Sequence, residues 1–330
     1  MAVIEGRMVK KFRRSAAGTE RQIPEELRTP RTLRKTLDYL FTNIIGSSDH
    51  LGKHHKFVWD RTRAVRNDFT IQSFTKPEDV KYEVDCYERI VRFHILSLHQ
   101  MCNPAQLRPG ENYDRKQELE QLQKTFASLM DKYDTFGRTM AFRNEPEFRA
   151  YFILFAARTN LYDLEVQIQG WSNRVLNDGR VQTALRLHAA AGSTDYQVGS
   201  LQLDSIPAAV AQSNASFYWR LLASQRVGYL MACVAEISFK LVRFSSLNAM
   251  WRSAKAAPEK GQSSMRSWTK QALTDYLGFD YEDQTEDFCA ELDITFAANP
   301  NTREKYLDFS SNPERSLDSA STLSQPRLVC

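Results

Sequence analysis

The spacing of apolar residues along most of the chain is helical. Leu33, Leu37 and Leu40 recur every three to four residues, and Gly46-Ser47-Ser48 interrupts this pattern. Similar spacing follows in later segments, which are separated by stretches rich in Pro, Gly or Ser. The pattern predicts helices over 33–44, 56–72, 77–102, 112–133, 146–168, 175–191, 207–223, 226–244 and 247–255.

These helices follow one another as pairs of about 35–40 residues, although no clean sequence repeat accompanies them. Such stacking is typical of helical-repeat proteins, in which each pair buries its apolar face against the next. We therefore expect a mainly α chain whose residues 31–245 form a helical-repeat (TPR/PCI-like) solenoid.

The pattern changes after residue 266. Two short helices are predicted, one ending at Gly278 and one over Asp283–Leu292, and residues 293–296 and 305–309 then alternate as strands do. Helices followed by a hairpin are typical of a winged helix, so we expect a C-terminal winged helix with a small β-hairpin at 246–310. Residues 311–330 contain few large apolar side chains and are expected to form a disordered tail.

Charge is distributed unevenly along the chain, although the net charge is only +4. Residues 1–36 contain ten Lys or Arg against four Glu, and residues 243–270 contain six against one. Residues 280–293 contain seven acidic and no basic residues. The first 30 residues combine positive charge with little apolar periodicity, so we expect a basic extended arm there.

Composition excludes several classes of protein. Apolar residues make up 42% and charged residues 25%, as in ordinary globular chains. The longest apolar run, Val227–Phe239, is interrupted by Glu236 and is too short to cross a bilayer, so no membrane association is expected. Five Cys without a C-x-x-C pair indicate a reducing compartment, the nucleus or cytosol, and no structural zinc.

No motif for catalysis or cofactor binding was found. The chain has no G-x-x-x-x-G-K-[ST], G-x-G-x-x-G, G-x-S-x-G or H-E-x-x-H sequence. His94 and His99 are five residues apart and lie on different helix faces, which disfavours shared metal ligation. Carboxylates such as Glu118 and Glu120 fit a solvated helix flank. We therefore expect no enzyme and no cofactor.

Several segments resemble one known family in order and spacing. They are RTLRKTLDYL at 31–40, WDRTRAVRNDFTIQ at 59–72, YERIVRFHILSLH at 87–99, QELEQLQKTFASLMDKYD at 117–134, EFRAYFIL at 147–154, SNASFYWRLL at 213–222, VRFSSLNAM at 242–250, and LGFD with FC at 277–280 and 288–289. This set is similar to the SAC/GANP family, fungal-type scaffolds of the second nuclear transcription-coupled mRNA export (TREX) complex. The resemblance covers about residues 8–310.

The resemblance implies a nuclear protein at the nuclear pore or envelope. It implies pairing with a PCI-domain subunit and a small acidic DSS-type subunit, and links to an mRNA export receptor and the transcription machinery. It also implies RNA or DNA binding, without strong sequence preference, through the winged-helix region. One departure is the acidic segment Asp280–Asp293, which would repel phosphate if it served as a recognition helix.

Two functions remain open from the sequence. The first is a scaffold that binds partner subunits and nucleic acid. The alternative is a purely structural PCI-like subunit of another assembly, of the proteasome-lid or initiation-factor type, whose basic residues are ordinary solvated positions.

Three groups of residues are predicted to carry binding. Aromatic residues in the late helices exceed what a monomer usually needs and are expected to contact a partner. Three arginines within six positions suggest docking of an acidic protein segment, or else an internal salt-bridge flank using Asp60 and Asp68. Cations around the winged helix are expected to contact phosphates, with the acidic helix facing away from the nucleic acid. The three groups are Trp219, Trp251, Trp268, Phe279 and Tyr281; Arg61, Arg63 and Arg66; and Arg252, Lys255, Lys260, Arg266, Lys270, Arg303 and Lys305.

Overall fold

The computed structural model describes residues 9–13, 24–46, 51–107, 112–159, 164–192, 215–256, 268–298 and 304–308. In this part of the chain the secondary structure is mainly helical, with one two-stranded antiparallel sheet. The predicted mainly α class with a small hairpin is therefore confirmed. The chain divides into two compact units, the first ending at Phe148 and the second starting at Arg149.

The helices of the first unit begin at the signals that the sequence provides. The side chain of Thr29 accepts a hydrogen bond from the Thr32 backbone N–H, and Asp114 accepts from the N–H groups of Lys116 and Gln117. A proline occupies the first turn of two of these helices. The helices are α1 (Pro30–Asp38, continued by the π-helical segment Tyr39–Ile45), α2 (His55–Gln72), α3 (Pro77–Gln100), α4 (Arg115–Phe136) and the start of α5 (Glu145–Thr159).

Helix α3 lies at the centre of the first unit and packs against α1, α2 and α4. Its buried positions cover most of its circumference and include polar residues as well as apolar ones. The surrounding helices each contribute an apolar stripe, for example Leu33 and Leu37 from α1 and Val65 from α2, all fully buried. Burial of such stripes gives most of the stability of helices in a fold of this kind.

The second unit contains further helices and the sheet. Residues 160–163, 193–214 and 257–267 separate some of them and lie outside the described part of the chain. The helices are the rest of α5, then α6 (Leu164–Gln169), α7 (Asn173–Leu176), α8 (Gly179–Gly192), α9 (Ala215–Leu222), α10 (Tyr229–Ala235), α11 (Phe239–Ala256), α12 (Lys270–Leu277) and α13 (Glu282–Ala290).

The predicted break between residues 244 and 247 does not exist. Helix α11 runs through it, and the interruption lies earlier, at the 3₁₀ turn Glu236–Ser238. Between Leu241 and Trp251 almost every residue of α11 is buried, so neighbouring elements hold the helix on all sides. The predicted helix 175–191 also differs, because the structure has separate helices α7 and α8 there, whereas residues 160–163 of the predicted helix 146–168 lie outside the described part of the chain.

Helices α12 and α13 and strands β1 (Thr295–Ala298) and β2 (Lys305–Asp308) form what we term the C-terminal element. The strands pair antiparallel with Phe296 opposite Leu307, as the alternating pattern predicts. A core shared with the second half of α11 holds the element together. This core contains Phe244, Leu247, Met250, Trp251, Leu273, Leu277, Phe279, Phe288, Cys289, Leu292, Ile294 and Leu307.

The predicted domain limits at residues 30, 245 and 310 stay predictions. Residues 9–13 have no regular secondary structure, and residues 24–26 form a 3₁₀ turn. The predicted tail at 311–330 lies outside the described residues.

Candidate functional site

The aromatic residues predicted to contact a partner have different environments in the structure. Trp251 and Phe279 are buried in the core of the C-terminal element, and Trp268 is partly buried against that core. Trp219 is half-buried, whereas the Tyr281 side chain is 70% exposed. Within the described residues the set therefore divides into core residues and one strongly exposed ring, that of Tyr281.

Trp219 packs against the end of α12, where the backbone turns sharply. Gly278 ends this helix in the left-handed conformation, with φ of 66°. A Cβ atom at this position would lie 2.8 Å from Cδ2 of Trp219. Gly278 is therefore required both for the left-handed turn and for the close approach of the indole ring.

Arg243 of α11 binds the same turn from inside the protein. Its Nε donates to the Leu277 carbonyl at 3.1 Å, and its Nη2 donates to the Gly278 carbonyl at 2.6 Å. The guanidinium carbon lies 3.7 Å from the centroid of the Phe279 ring. A buried cation at this position satisfies the last carbonyls of α12 and interacts favourably with the negative end of the helix dipole.

Two of the predicted phosphate-binding cations are paired with the acidic helix α13. Lys270 Nζ lies 2.6 Å from Glu286 Oε2 and 3.5 Å from Asp283 Oδ1, and Lys305 Nζ lies 3.0 Å from Glu286 Oε1. These contacts raise the pKa of Lys270, chiefly through its hydrogen bond to Glu286, and lower the pKa of Glu286. Both ammonium groups are therefore partly neutralised.

The expectation that the acidic helix faces away from nucleic acid stays a prediction, but Glu286 of this helix contacts two of the predicted cations. The carboxylate of Glu286 lies between Lys270 and Lys305, which are 35 residues apart in sequence, because the hairpin folds back beside α13. The sequence does not show which side of the hairpin approaches the helix, so these two pairs could not be predicted from it.

The remaining predicted cations are only partly covered by the structure. Arg252 and Lys255 belong to the last turns of α11. Lys260, Arg266 and Arg303 lie outside the described residues.

The three clustered arginines of α2 are in contact with aromatic and polar groups of the first unit. Arg61 pairs with Asp60 and lies over the Phe57 ring, 4.5 Å from its centroid. Arg66 donates to the Gln121 side chain, and burial lowers its pKa to about 10, so it remains charged at neutral pH.

Arg63 lies between two aromatic rings. Its guanidinium carbon is 4.1 Å from the Phe12 centroid and 4.7 Å from the Trp59 centroid. Phe12 belongs to the predicted basic arm, and its backbone N–H donates to Asp60 at 3.2 Å. Part of the arm is therefore bound along α2.

Asp68 connects the arm and the approach to α1 with α2. Its carboxylate is fully buried, with Lys10 Nζ at 3.0 Å and Arg28 Nε at 2.8 Å. The Arg28 backbone N–H donates to the same carboxylate at 3.3 Å. The alternative interpretation, a salt-bridge flank using Asp60 and Asp68, thus has a structural counterpart, although Lys10 and Arg28 supply the cations for Asp68.

A buried cluster centred on Glu118 is absent from the sequence predictions. Glu118 was expected on a solvated flank of α4, but its side chain is only 1% exposed. His94 Nδ1 lies 2.6 Å from its Oε1, and His55 Nε2 lies 3.1 Å from its Oε2. The only sign of this burial in the sequence is that the polar Glu118 lies close to the apolar stripe of its helix.

The pKa values within this cluster have a consistent explanation. Burial lowers the pKa of His94, so its imidazole is neutral at pH 7. Burial alone would raise the pKa of Glu118, but its hydrogen bonds with His94 and His55 lower it overall. Glu118 is therefore an ionised carboxylate that accepts a hydrogen bond from the neutral His94, and the cluster joins α2, α3 and α4.

Other buried carboxylates of α3 have the opposite pKa shift. Burial raises the pKa of Glu88, although Tyr133 donates to it at 2.8 Å and Asn144 donates at 2.7 Å. Burial also raises the pKa of Glu83, whose partner is Lys132 at 3.1 Å. The two hydrogen bonds satisfy the carboxylate of Glu88, whereas Glu83, within the described residues, has an ion-pair contact with Lys132 but no hydrogen bond to its Oε2.

Two further searches of the described residues were negative. No group of three or more His, Cys, Asp or Glu side chains there is arranged to hold a metal ion. Among the helices of the described ranges, none is both long and apolar enough to span a membrane.

In the described residues the architecture is that of a mainly helical protein with a small two-stranded sheet, and several of its charged side chains are paired internally. The sequence model of the SAC3/GANP family matches residues 2–298, which is most of the chain. The chain belongs to this family. The resemblance noted from the sequence segments is therefore confirmed.

Curated relatives match the same region. The chain is 39% identical over 246 residues to "SAC3 family protein 1" of Schizosaccharomyces pombe, which covers 73% of this chain and 22% of that protein. It is 27% identical over 294 residues to "Protein xmas" of Drosophila melanogaster, 86% of this chain and 12% of that protein. It is 24% identical over 284 residues to "SAC3 family protein B" of Arabidopsis thaliana, a match that covers 83% of this chain and 16% of that protein. The match thus spans less than a quarter of each of these relatives.

Proposed function

We propose that this chain is a non-enzymatic scaffold segment of a nuclear, transcription-coupled mRNA export complex, acting at the nuclear pore or envelope. Membership of the SAC3/GANP family is the observation that carries the proposal. The partners proposed from the family resemblance are a PCI-domain subunit, a small acidic DSS-type subunit, an mRNA export receptor and the transcription machinery.

The C-terminal element supports the proposal of a PCI-like winged helix. The second half of α11, then α12, α13 and the hairpin, share one apolar core. This order of three helices and a hairpin is that of a winged helix. The preceding helices would then form the helical-repeat body, which presents partner surfaces along its length.

Tyr281 and the start of α13 are the proposed contact with the PCI-domain subunit. The ring of Tyr281 is exposed beside Asp283, whose side chain is 96% exposed. An exposed aromatic residue flanked by carboxylates suits a partner surface that combines an apolar pocket with basic residues. Trp251 and Phe279 support this surface from the core and do not touch the partner.

Copurification with the PCI-domain subunit tests this interface. We expect Tyr281→Ala together with Asp283→Lys to abolish coelution of the two proteins in size-exclusion chromatography while leaving the melting temperature unchanged. Tyr229→Ala is the matched control, because that ring is also exposed, at 60%, and lies on a different helix. Unaltered coelution of the double variant would reject this interface.

Nucleic-acid binding through the winged-helix region is the second part of the proposal. Because Lys270 and Lys305 are paired with α13, the phosphate contacts are assigned to Arg252, Lys255, Lys260, Arg266 and Arg303. Each lost phosphate contact should reduce the dependence of log affinity on log salt by about 0.7–0.9. Lys255→Glu with Lys260→Glu is therefore expected to weaken RNA binding and reduce the salt slope.

The alternative function, a purely structural PCI-like subunit, is favoured by one observation. Neutralisation of Lys270 and Lys305 by Glu286 reduces the positive potential of the C-terminal element. RNA titration at two salt concentrations distinguishes the functions, because a structural subunit would show no salt-dependent binding.

A further inference from the structure

The basic arm is bound so that its side chains alternate between the protein and solvent. Lys10 reaches the buried carboxylate of Asp68, and Phe12 packs against Arg63. Between and after them, Lys11 and Arg13 are exposed. In an extended chain successive side chains point to opposite sides, so anchoring of residues 10 and 12 directs residues 11 and 13 outwards.

The acidic groups beneath the arm are already engaged by other partners. Asp60 accepts from the Phe12 backbone N–H and pairs with Arg61, and Asp68 pairs with two cations. Neither carboxylate is therefore available to Lys11 or Arg13. Among the described residues, neither Asp60 nor Asp68 therefore cancels the positive charge of these two exposed side chains.

The surface of α2 next to the arm also has an exposed cation, together with an exposed aromatic ring. Lys10 and Phe12 contact Asp68 and Asp60, so the arm runs towards the N-terminus of α2. One turn before Asp60, on the same face, lies the exposed Lys56. Beside it the Phe57 ring is 39% exposed, with Arg61 stacked on one face.

We propose that Lys11, Arg13, Lys56 and Phe57, here termed the arm strip, form a binding surface for single-stranded nucleic acid of the RNA class. Side chains two residues apart in an extended strand are about 7 Å apart, close to the separation of successive phosphates along an extended single strand. An exposed ring beside a line of cations suits a stacked base. A single strand uses both features, because its phosphates contact the cations and a base stacks on the ring, so we take single-stranded nucleic acid as the ligand.

This surface lies in the first compact unit and uses different residues from the phosphate contacts proposed around the winged helix. It goes beyond the proposed function, because it requires neither the PCI-domain subunit nor the C-terminal element. The arm strip is held in place by contacts of the chain itself, so the isolated full chain is sufficient for the test.

Binding of a fluorescein-labelled oligouridylate to the full chain, followed by anisotropy at several salt concentrations, tests the inference. For Lys11→Glu with Arg13→Glu we expect at least about tenfold weaker binding at 0.1 M salt and a salt slope smaller by about 1.4. Lys116→Glu with Lys124→Glu is the matched control, with the same charge change on exposed positions of α4 in the same unit. The control should change affinity less than twofold.

Phe12→Ala tests whether the bound arm, and not net charge alone, creates the surface. This variant keeps every cation but removes the ring stacked on Arg63. We expect about threefold weaker RNA binding with a nearly unchanged salt slope, because the cations remain but are no longer held in line. Trypsin should also cleave after Lys11 or Arg13 faster than in the unmodified chain.

Three outcomes would overturn the inference. An equal loss in the arm and control variants would mean that binding follows net charge. Tighter binding of a polyglutamate peptide than of the oligouridylate, lost in the arm variant, would assign the surface to an acidic protein segment. Loss of RNA binding only in Lys255→Glu with Lys260→Glu would leave the winged-helix proposal standing and remove this one.

Discussion

The first compact unit and the C-terminal element have different kinds of contact between their helices. In the first unit, α2, α3 and α4 meet at the ionised Glu118 and its two histidines, and all three side chains are buried. In the C-terminal element, the helices meet through an apolar core, and the carboxylates of α13 remain at the surface. Buried polar contacts require specific partners, whereas an apolar core depends mainly on volume.

The largest expected effect is that of a substitution in the apolar core of the C-terminal element. Trp251→Ala should lower the free energy of unfolding by about 3–5 kcal/mol, because it removes a large side chain that is 2% exposed in the core. Urea denaturation monitored by circular dichroism measures the change. Tyr281→Ala, in an exposed position of the same element, should stay within about 0.5 kcal/mol. Similar losses for the two variants would contradict the core assignment.

Among the buried polar contacts of the first unit, Glu118→Gln should cause the largest loss of stability. Removing the charge leaves His94 and His55 with a weaker hydrogen-bond partner in a buried site, which should cost about 1–3 kcal/mol. Glu120→Gln on the exposed face of the same helix is the control and should be nearly neutral. If Glu118→Gln is as stable as the unmodified chain, the cluster does not hold the three helices together.

Gly278→Ala measures the strain at the junction of α12 with Trp219. A residue with a Cβ atom must adopt φ near 66° and displace the indole, which should cost about 1–3 kcal/mol. Gly179→Ala is the control, since a Cβ there meets nothing within 4 Å, and it should be neutral or slightly stabilising. A neutral Gly278→Ala would show that the turn tolerates a side chain.

Acidification should affect the first unit more than the C-terminal element. The pKa values of His94 and Glu118 are both lower in the folded chain than in the unfolded chain. As pH decreases, the unfolded chain therefore binds protons at these groups before the folded chain does, and the free energy of unfolding decreases. His94 contributes at most about 1.4 kcal/mol per pH unit below 6.5, and Glu118 contributes below 4.5. The raised pKa values of Glu83 and Glu88 act in the opposite direction as pH falls towards 4.5, so we follow the interval from pH 7.5 to 5.5, which brackets the ordinary pKa of a histidine at 6.5.

Amide hydrogen exchange measures this difference element by element. After correction for intrinsic rates, protection in α2, α3 and α4 should fall between pH 7.5 and 5.5, while protection in α12 and α13 stays constant. An equal fall in both regions would contradict the comparison, because no histidine belongs to the C-terminal element.

The smallest expected effect concerns the surface pairs of α13. Lys305→Gln should cost less than about 1 kcal/mol, because Lys305 and Glu286 are both substantially exposed. The melting temperature in low and high salt measures the effect, which should shrink as salt increases. Lys124→Gln is the control on another exposed helix face. A loss comparable with that of Glu118→Gln would place this pair among the structural contacts.

Local signals in the sequence predicted much of the fold. Pro77 at the start of α3, Gly278 at the end of α12, and the alternating residues of the hairpin all depend on near neighbours, so they could be read directly. The continuity of α11 could not be predicted, because it depends on burial by elements distant in sequence.

The charged contacts were the least predictable part of the candidate sites. Glu118 meets His55 from 63 residues away, and Lys270 and Lys305 meet at Glu286 only once the hairpin is formed. Charge counts identified regions rich in cations but not which cations remained unpaired. The arm illustrates the same point, since Lys10 and Lys11 are neighbours in sequence but have opposite environments.

Because α11 contributes to the core of the C-terminal element, the starting residue of a truncated fragment decides whether this element can fold. Phe244 and Trp251 belong to the core of the element, and Arg243 caps α12, so α11 from Arg243 onwards is part of its architecture. An expression fragment that starts at residue 257 or later would expose the apolar surface that α11 covers, and is expected to aggregate. Truncation mapping of binding activities should therefore cut before residue 239, since a cut inside the helix destroys the element whose binding it is meant to locate.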